Sequence, residues 1–365
     1  MKRIVTLLLL TFHAGVFIFA QANLQPVAIV RLTRSEPITV RELRTEMEKV
    51  AWPNLGMRLG RLPTAAELTA EVQNSSIDAR RQVLEAMINE RLALQAAERD
   101  RVSVSDNEVN QQITQMRAEM AQGIGRQPTD SEFATAIREE FGQDLPAFRE
   151  SLKRQLIVQK YLTTTKQHLF NSIREPTPQE ITAQYNLLRA QLVRPDTVRF
   201  SMIEVPFGAD AASKTRAKEL ADRLNREIGT NPSRFDEAVL RAQAPNSGYR
   251  AGDGGYLPQN TEARQLVGAE FLDTAFSLRQ GQVSGVIETR QGYHIIKVTE
   301  TLPLKAPLEL DELVFPGRPG TVRQLIVSNM MQQQQYQIMA RATQELAAEL
   351  RAGNPFQIME NQLNW

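Results

Sequence analysis

Gly252-Asp253-Gly254-Gly255-Tyr256 opens a stretch that runs through Ala269-Glu270-Phe271, Ala275-Phe276-Ser277-Leu278 and Gly281-Gln282-Val283-Ser284 to Gly292-Tyr293-His294-Ile295-Ile296-Lys297-Val298. The glycines read as a turn that needs positive φ. Asp253 reads as closing that turn on local backbone amides. The aromatics read as buried positions and the last segment as a strand. Around this stretch the pattern predicts a strand over Val198–Val205, helices over 209–228 and 233–243, a short helix near Ala269–Leu278 and a final strand over 293–299. A βαα…αβ order predicts an α+β domain with a small antiparallel sheet, here about 196–301.

Downstream, Pro303, Pro307, Pro316 and Pro319 predict a stiff connector. A long amphipathic helix follows over 321–352, containing Met330, Met331, Met339 and four consecutive glutamines, and Gly353-Asn354-Pro355 ends it. Upstream, Pro176-Thr177-Pro178-x-Glu180 leads into a helix over 178–192. Residues 171–195 therefore read as a linker.

The N-terminal half is helical in pattern. Two short strands, 28–32 and 36–39, precede a helix capped by Thr39 with Glu42. Pro53, Gly56, Gly60 and Pro63 predict a loop-rich insertion over 51–76 with a short helix at 65–73. Ile77, Leu84, Met87, Ile88, Leu92 and Gln95 give the strongest helical stripe, over 77–100. Ser105-x-x-Glu108 caps a helix to about Gln122, which Gly123 and Gly125 end. Asp130–Phe141 is another, stopped at Gly142. Pro146 starts the next, running to about His168. No internal repeat is visible.

Composition sets limits. Of 365 residues, 42% are hydrophobic and 23% charged, which is globular and long enough for two or three domains. The net charge is +1, and removing Lys2 and Arg3 leaves −1, so no charge excess points to nucleic acid or an acidic membrane. Lys2-Arg3, the apolar run Ile4–Ala20 and Ala20-Gln21-Ala22 predict a cleaved export signal over 1–22. The alternative is an uncleaved anchor, for which the run is short. Either way, no second run predicts stable membrane insertion of the mature chain. The absence of cysteine excludes disulfides and thiolate sites, and two histidines beyond the leader, His168 and His294, are too few for a histidine metal cluster. With no phosphate-cradling motif either, neither metal nor cofactor is expected.

The stretch from Gly252 to Val298 resembles the core of parvulin-type, PPIC-like peptidyl-prolyl isomerase domains. Arg81–Leu92, Val104–Val109 and Phe148–Gln159 together resemble the N-terminal helical domain of SurA-type periplasmic chaperones, over roughly 26–165. The joint resemblance implies a helical chaperone domain (23–170) completed by a C-terminal helix, with 302–365 returning so that 308–365 packs on 24–165. One parvulin-like α+β domain would sit between them.

It also implies a site. X–Pro rotation faces a barrier of roughly 18–20 kcal/mol, and a catalyst needs an apolar proline seat and a pocket that fits the twisted amide. By resemblance, Phe271 and Val267 take the seat, and Leu257 replaces a frequent phenylalanine. Gly254 stands where a leucine often forms a wall, leaving that wall bare. His294 matches the second of the family's two histidines, but Met202 replaces the first and Pro245 replaces a polar cysteine or aspartate. Each has a plain structural reading too: His294 as a packed strand residue, Phe271 as core.

These substitutions lead to an expected periplasmic holdase with weak or lost isomerase activity, binding unfolded or nascent envelope proteins without ATP. Met87, Met116, Met120, Met330, Met331 and Met339 would line its client groove, or else fill core gaps. An active isomerase foldase and a dedicated assembly factor for one envelope partner are the alternatives. The sequence does not set the oligomeric state.

Overall fold

Strand β1 (Pro26–Val30) lies at the centre of a three-stranded antiparallel sheet, between β2 (Glu36–Thr39) and β7 (Phe356–Ile358), so both ends of the described chain meet in one sheet. The structure, a computed structural model, describes residues 24–208 and 210–365; the predicted leader lies outside them. Two compact units divide the chain. One takes it through Ile173 together with Gln334–Trp365; the other is Arg174–Gln333.

In the first unit β2 runs into α1 (Val40–Leu59), followed by α2 (Ala65–Gln73), α3 (Ile77–Arg99), α4 (Asp106–Ile124), α5 (Asp130–Phe141), α6 (Leu145–Thr165) and the short α7 (Gln167–Phe170). The expected loop from residue 51 is helix instead: α1 continues through Pro53 to Gly60, whose φ of 66° ends it. An interior proline costs about 3 kcal/mol by forfeiting a backbone bond. Tertiary anchors offset this: Leu55 is buried, and the Trp52 indole N–H donates to the Glu139 carbonyl at 2.9 Å. Gly123 lies within α4, and Gly125 alone caps it with positive φ.

Three helices start on one local device that the sequence reading missed. Arg61-Leu62-Pro63-Thr64-x-x-Glu67, Arg126-Gln127-Pro128-Thr129-x-x-Glu132 and Arg174-Glu175-Pro176-Thr177-x-x-Glu180 share the pattern Arg-x-Pro-Thr-x-x-Glu. Threonine and glutamate form a reciprocal capping box in each. The arginine clamps that glutamate, at 2.5, 2.5 and 2.6 Å, and also donates to the carbonyl before the proline. The arginine first, then the threonine N–H, hold each glutamate near pKa 2.

The core of the first unit joins Val27, Ile38, Leu43, Leu84, Ile88, Leu92 and Tyr161 to Ala342, Leu346, Leu350 and Leu363 from the C-terminal segment. Each fully buried leucine or isoleucine stabilises by about 1.5–3 kcal/mol. Gln95, read as part of the apolar stripe, is fully buried but polar in role. Its Oε1 accepts the Leu32 and Thr33 N–H groups at 3.1 and 3.0 Å, and its Nε2 donates to Glu36 at 3.0 Å. It thereby satisfies the β1–β2 turn, which would otherwise lose its hydrogen bonds on burial. Buried Arg80 donates to the Gln73, Leu363 and Trp365 carbonyls at 2.8, 2.7 and 3.0 Å and lies 4.4 Å from the Trp365 ring centre.

The second unit begins with α8 (Pro178–Leu188) and a single 3-10 turn. Then come β3 (Thr197–Pro206), α9 (Ala211–Ile228), α10 (Pro232–Arg241), β4 (Arg250–Pro258), α11 (Thr261–Val267), α12 (Ala269–Ser277), β5 (Ile287–Glu288) and β6 (Gly292–Leu302). The strands form an antiparallel sheet of order β4-β3-β6-β5. Gly252–Gly255 is therefore edge strand rather than turn. Of those glycines only Gly255 takes positive φ, opposite a bulge at Phe200/Ser201. Helix α13 (Val322–Arg351) serves both units, with the boundary at Gln333/Gln334. Residues 308–365 do not pack as one block on 24–165. Leu308, Val322 and Ile326 join Ile181 and Tyr185 of α8 in a cluster of the second unit, and the segment from Gln334 serves the first.

Candidate functional site

Alternation along β3 and β6 gives the sheet of the second unit two apolar faces. Ile203, Val205, Tyr293 and Ile295 pack with α9 and α10. Val198, Phe200, Ile296 and Val298 pack with α11 and α12, whose Ala263, Phe271, Leu272 and Ala275 complete that cluster. The Gly281-x-Val-Ser284 motif fastens the chain after α12 onto β6. The Gly281 N–H donates to the Val298 carbonyl at 2.7 Å, and Ser284 Oγ accepts the Ile296 N–H at 2.9 Å.

Phe271 is buried in this second cluster. Its ring meets His294 edge-on at 5.6 Å and Phe200 edge-on at 5.4 Å between centroids. Leu257, Val267 and Met202 pack in the same cluster. The wall over Gly254 is not bare, contrary to expectation. A Cβ at 254 would lie 2.2 Å from Phe200 Cε2, so a ring from the neighbouring strand already fills the space that glycine leaves. The structure thus gathers His294, Met202, Phe271, Val267, Leu257 and Gly254 around one cluster. Pro245 is exposed on the turn after α10 and is no part of it.

His294 is 6% exposed. Its Nε2 bonds Thr289 Oγ1 at 2.9 Å, while its Nδ1 is buried without a partner. Thr289 was missed in the sequence. Its signal is its place five residues before His294, across a tight turn closed by the Thr289 N–H to the Gly292 carbonyl at 2.9 Å. Glu204 stands opposite His294 in the β3–β6 register and pairs with Arg250 at 2.8 Å. Burial pushes the imidazole pKa down and Glu204 opposes it, with burial the stronger. At neutral pH the site therefore presents a neutral imidazole with one bare nitrogen.

The unfolded chain takes up a proton on His294 near its ordinary value of 6.5, and the folded chain resists it. Stability from this group is present above that pH and is lost as pH falls through it toward the lower folded value. The urea midpoint of the second unit should drop between about pH 7.5 and pH 5, and His294→Phe should flatten that slope. An unchanged slope in the variant would assign the drop elsewhere.

In the first unit, a cleft of about 460 Å³ runs beside α1, lined by Thr45, Glu48, Lys49, Trp52, Leu68 and Arg154. Gly142 sets the Trp52 wall, since a Cβ there would lie 2.7 Å from the indole. Two smaller hollows of about 320 and 220 Å³ continue along α1 and α3, and Met87 borders both. The other methionines do not gather there. Met116 and Met120 pack against the Val109–Phe133–Phe148 cluster, and Met330 packs with α8. Met331 is half-buried and Met339 is 38% exposed.

Comparison with known proteins matches residues 1–162 to a SurA-like N-terminal domain and residues 176–314 to a PPIC-type PPIASE domain. These two domain types on one chain define the class. Within it the chain is SurA-like: it is 28% identical over 229 residues to the chaperone SurA of Alcanivorax borkumensis, covering 60% of this chain and 47% of that one. With the chaperone SurA of Saccharophagus degradans it shares 26% identity over 299 residues, 79% of this chain and 61% of that one. The chain spans about half the length of the first curated relatives it matches. A solved structure of a SurA-like chaperone from Campylobacter jejuni aligns with 92% of this chain and 99% of its own, at 14% identity and a TM-score of 0.36.

Proposed function

We propose that this protein is an ATP-independent holdase of the periplasm. It would bind unfolded outer-membrane or secreted proteins, while its PPIC-type domain retains little prolyl isomerase activity. The observation that carries this reading is the state of His294. Its Nδ1 is buried and unpaired beside Met202, so the polar pair that would follow a rotating carbonyl is incomplete. The Phe271 seat is itself closed in by Phe200 and His294. The cleft along α1 and α3 is open, walled by a fixed tryptophan and bordered by a deformable methionine, features suited to varied extended chains. No helix of the described residues is long and apolar enough to cross a membrane.

The test measures light scattering of a denatured outer-membrane barrel protein diluted into buffer with this chain at stoichiometric excess. Scattering should fall severalfold and should fall equally with Phe271→Ala. Unchanged scattering with the wild-type chain would sink the proposal. The second reading, an active foldase, draws on the intact Thr289–His294 bond. It requires fast isomerisation of an X–Pro peptide that Phe271→Ala abolishes.

A further inference from the structure

A proline is held in the second unit at a place apart from the Phe271 cluster. Residues 313–321 fold back as a hairpin: Leu313 bridges Thr321, and the Val314 N–H donates to the Gly320 carbonyl at 3.0 Å. At its tip, Phe315-Pro316-Gly317-Arg318 turns sharply, closed by the Arg318 N–H to the Phe315 carbonyl at 3.3 Å. Proline presets φ at the first central position, and Gly317 takes φ of 76° at the second. Pro316 is buried although Gly317, Arg318 and Pro319 are exposed.

The turn rests on Tyr256 of β4. A Cβ at 317 would lie 2.8 Å from Tyr256 Cδ2, so only glycine lets the backbone lie flat on that ring. The ring is fixed from both sides. Its hydroxyl donates to Glu300 at 2.7 Å, and the Arg199 guanidinium sits 5.4 Å from its centre. Arg199 is in turn held by Asp253 at 2.6 Å, and Asp253 accepts the Gly255 N–H at 3.0 Å. Beside the seated turn a cavity of about 310 Å³ remains, reaching Arg199, Gly254 and Arg318.

We propose that the Tyr256–Arg199 face is a docking surface for Pro-Gly turns, separate from the isomerase-type pocket and occupied at rest by the chain's own Pro316-Gly317. Among the described residues no hydrogen bond joins 313–320 to β3 or β4; the hairpin bonds to itself and to its own neighbours. It therefore leaves and returns as a preformed unit, and a preformed turn binds with little ordering entropy. A rigid aromatic platform with an adjacent cation suits proline-containing segments for the same reason. A Pro-Gly turn presented by another chain exchanges with the resident one.

The test uses the full chain, isotopically labelled, and a peptide of residues 313–321 as probe. Gly317→Val, blocked by both φ and the Tyr256 ring, vacates the seat. The peptide should then shift the resonances of Arg199, Gly255 and Tyr256, and bind wild type at least about tenfold more weakly (about 1.4 kcal/mol) because the resident turn competes. A peptide with alanine for both prolines should not bind. Equal binding to both proteins, shifts centred on Phe271 instead, or no shift in the variant would each overturn the proposal. Tyr256→Ala supplies a second readout: amides of 314–320 should exchange at least about tenfold faster while those around Phe271 keep their rates. Unchanged exchange there would overturn it equally.

Discussion

Deleting residues 334–365 should abolish cooperative folding of the first unit while the second keeps its own transition. The deletion removes Leu346, Leu350 and Leu363 from the core, along with Ala342. Truncating one buried leucine typically costs about 2–5 kcal/mol, and a whole domain holds only about 5–15 kcal/mol in reserve. Three leucines alone reach that range. Polar losses add to them. Strand β1 loses β7, Arg80 loses two of its carbonyl acceptors, and buried Lys166 loses its ion-pair partners Glu345 and Glu349. An unpaired buried cation is among the most destabilising groups a fold can contain. The second unit retains the first turns of α13, including Val322 and Ile326, that pack on α8. Circular dichroism during a urea titration, with hydrogen exchange to assign each transition, checks this. Native-like protection of α3 in the truncated chain would mean that the N-terminal helices close their own core.

Much of this architecture was legible because local signals and burial agreed. The stripe Leu84, Met87, Ile88, Leu92 is the buried face of α3, and Thr39 with Glu42 is the capping box of α1. Failures fall where a distant contact overrides a local rule. Pro53 argues for a loop, but Trp52 and Leu55 keep the helix running past it. Gln95 fits an apolar period by position, and only the spatial arrival of Leu32, Thr33 and Glu36 makes an amide the right residue there. Gly252–Gly255 carries turn chemistry, yet pairing with β3 draws it into an edge strand. Residues around Phe271 could be named as candidates from the sequence, but the network that joins them could not, and Pro245 lies outside it. Nothing local says that Phe200 fills the space over Gly254, or that His294 is tied by Thr289 on one nitrogen and untied on the other.

Met202→His should raise isomerisation of an X–Pro peptide about tenfold, equivalent to about 1.4 kcal/mol off the barrier. In the β3–β6 register Met202 faces Ile296 and Glu204 faces His294, so 202 and 294 are diagonal neighbours on adjacent strands. Diagonal Cβ atoms lie roughly 7 Å apart, within reach of two imidazoles. A second imidazole at 202 gives His294 Nδ1 its missing partner and extends the chain that begins at Thr289. A connected polar chain can follow the carbonyl as its bond order changes, which an isolated neutral imidazole does poorly. The exchange leaves Phe271 in place, so Phe271→Ala added to Met202→His should remove the gain. Nitrogen NMR reports whether the two rings bond, and this separates a failure of geometry from a failure of chemistry. A formed imidazole pair with no gain in rate would show that the closed seat between Phe200 and Phe271, and not the unpaired imidazole nitrogen, limits the rate. In that case opening the seat with Phe200→Leu, and not adding polarity, should raise the rate.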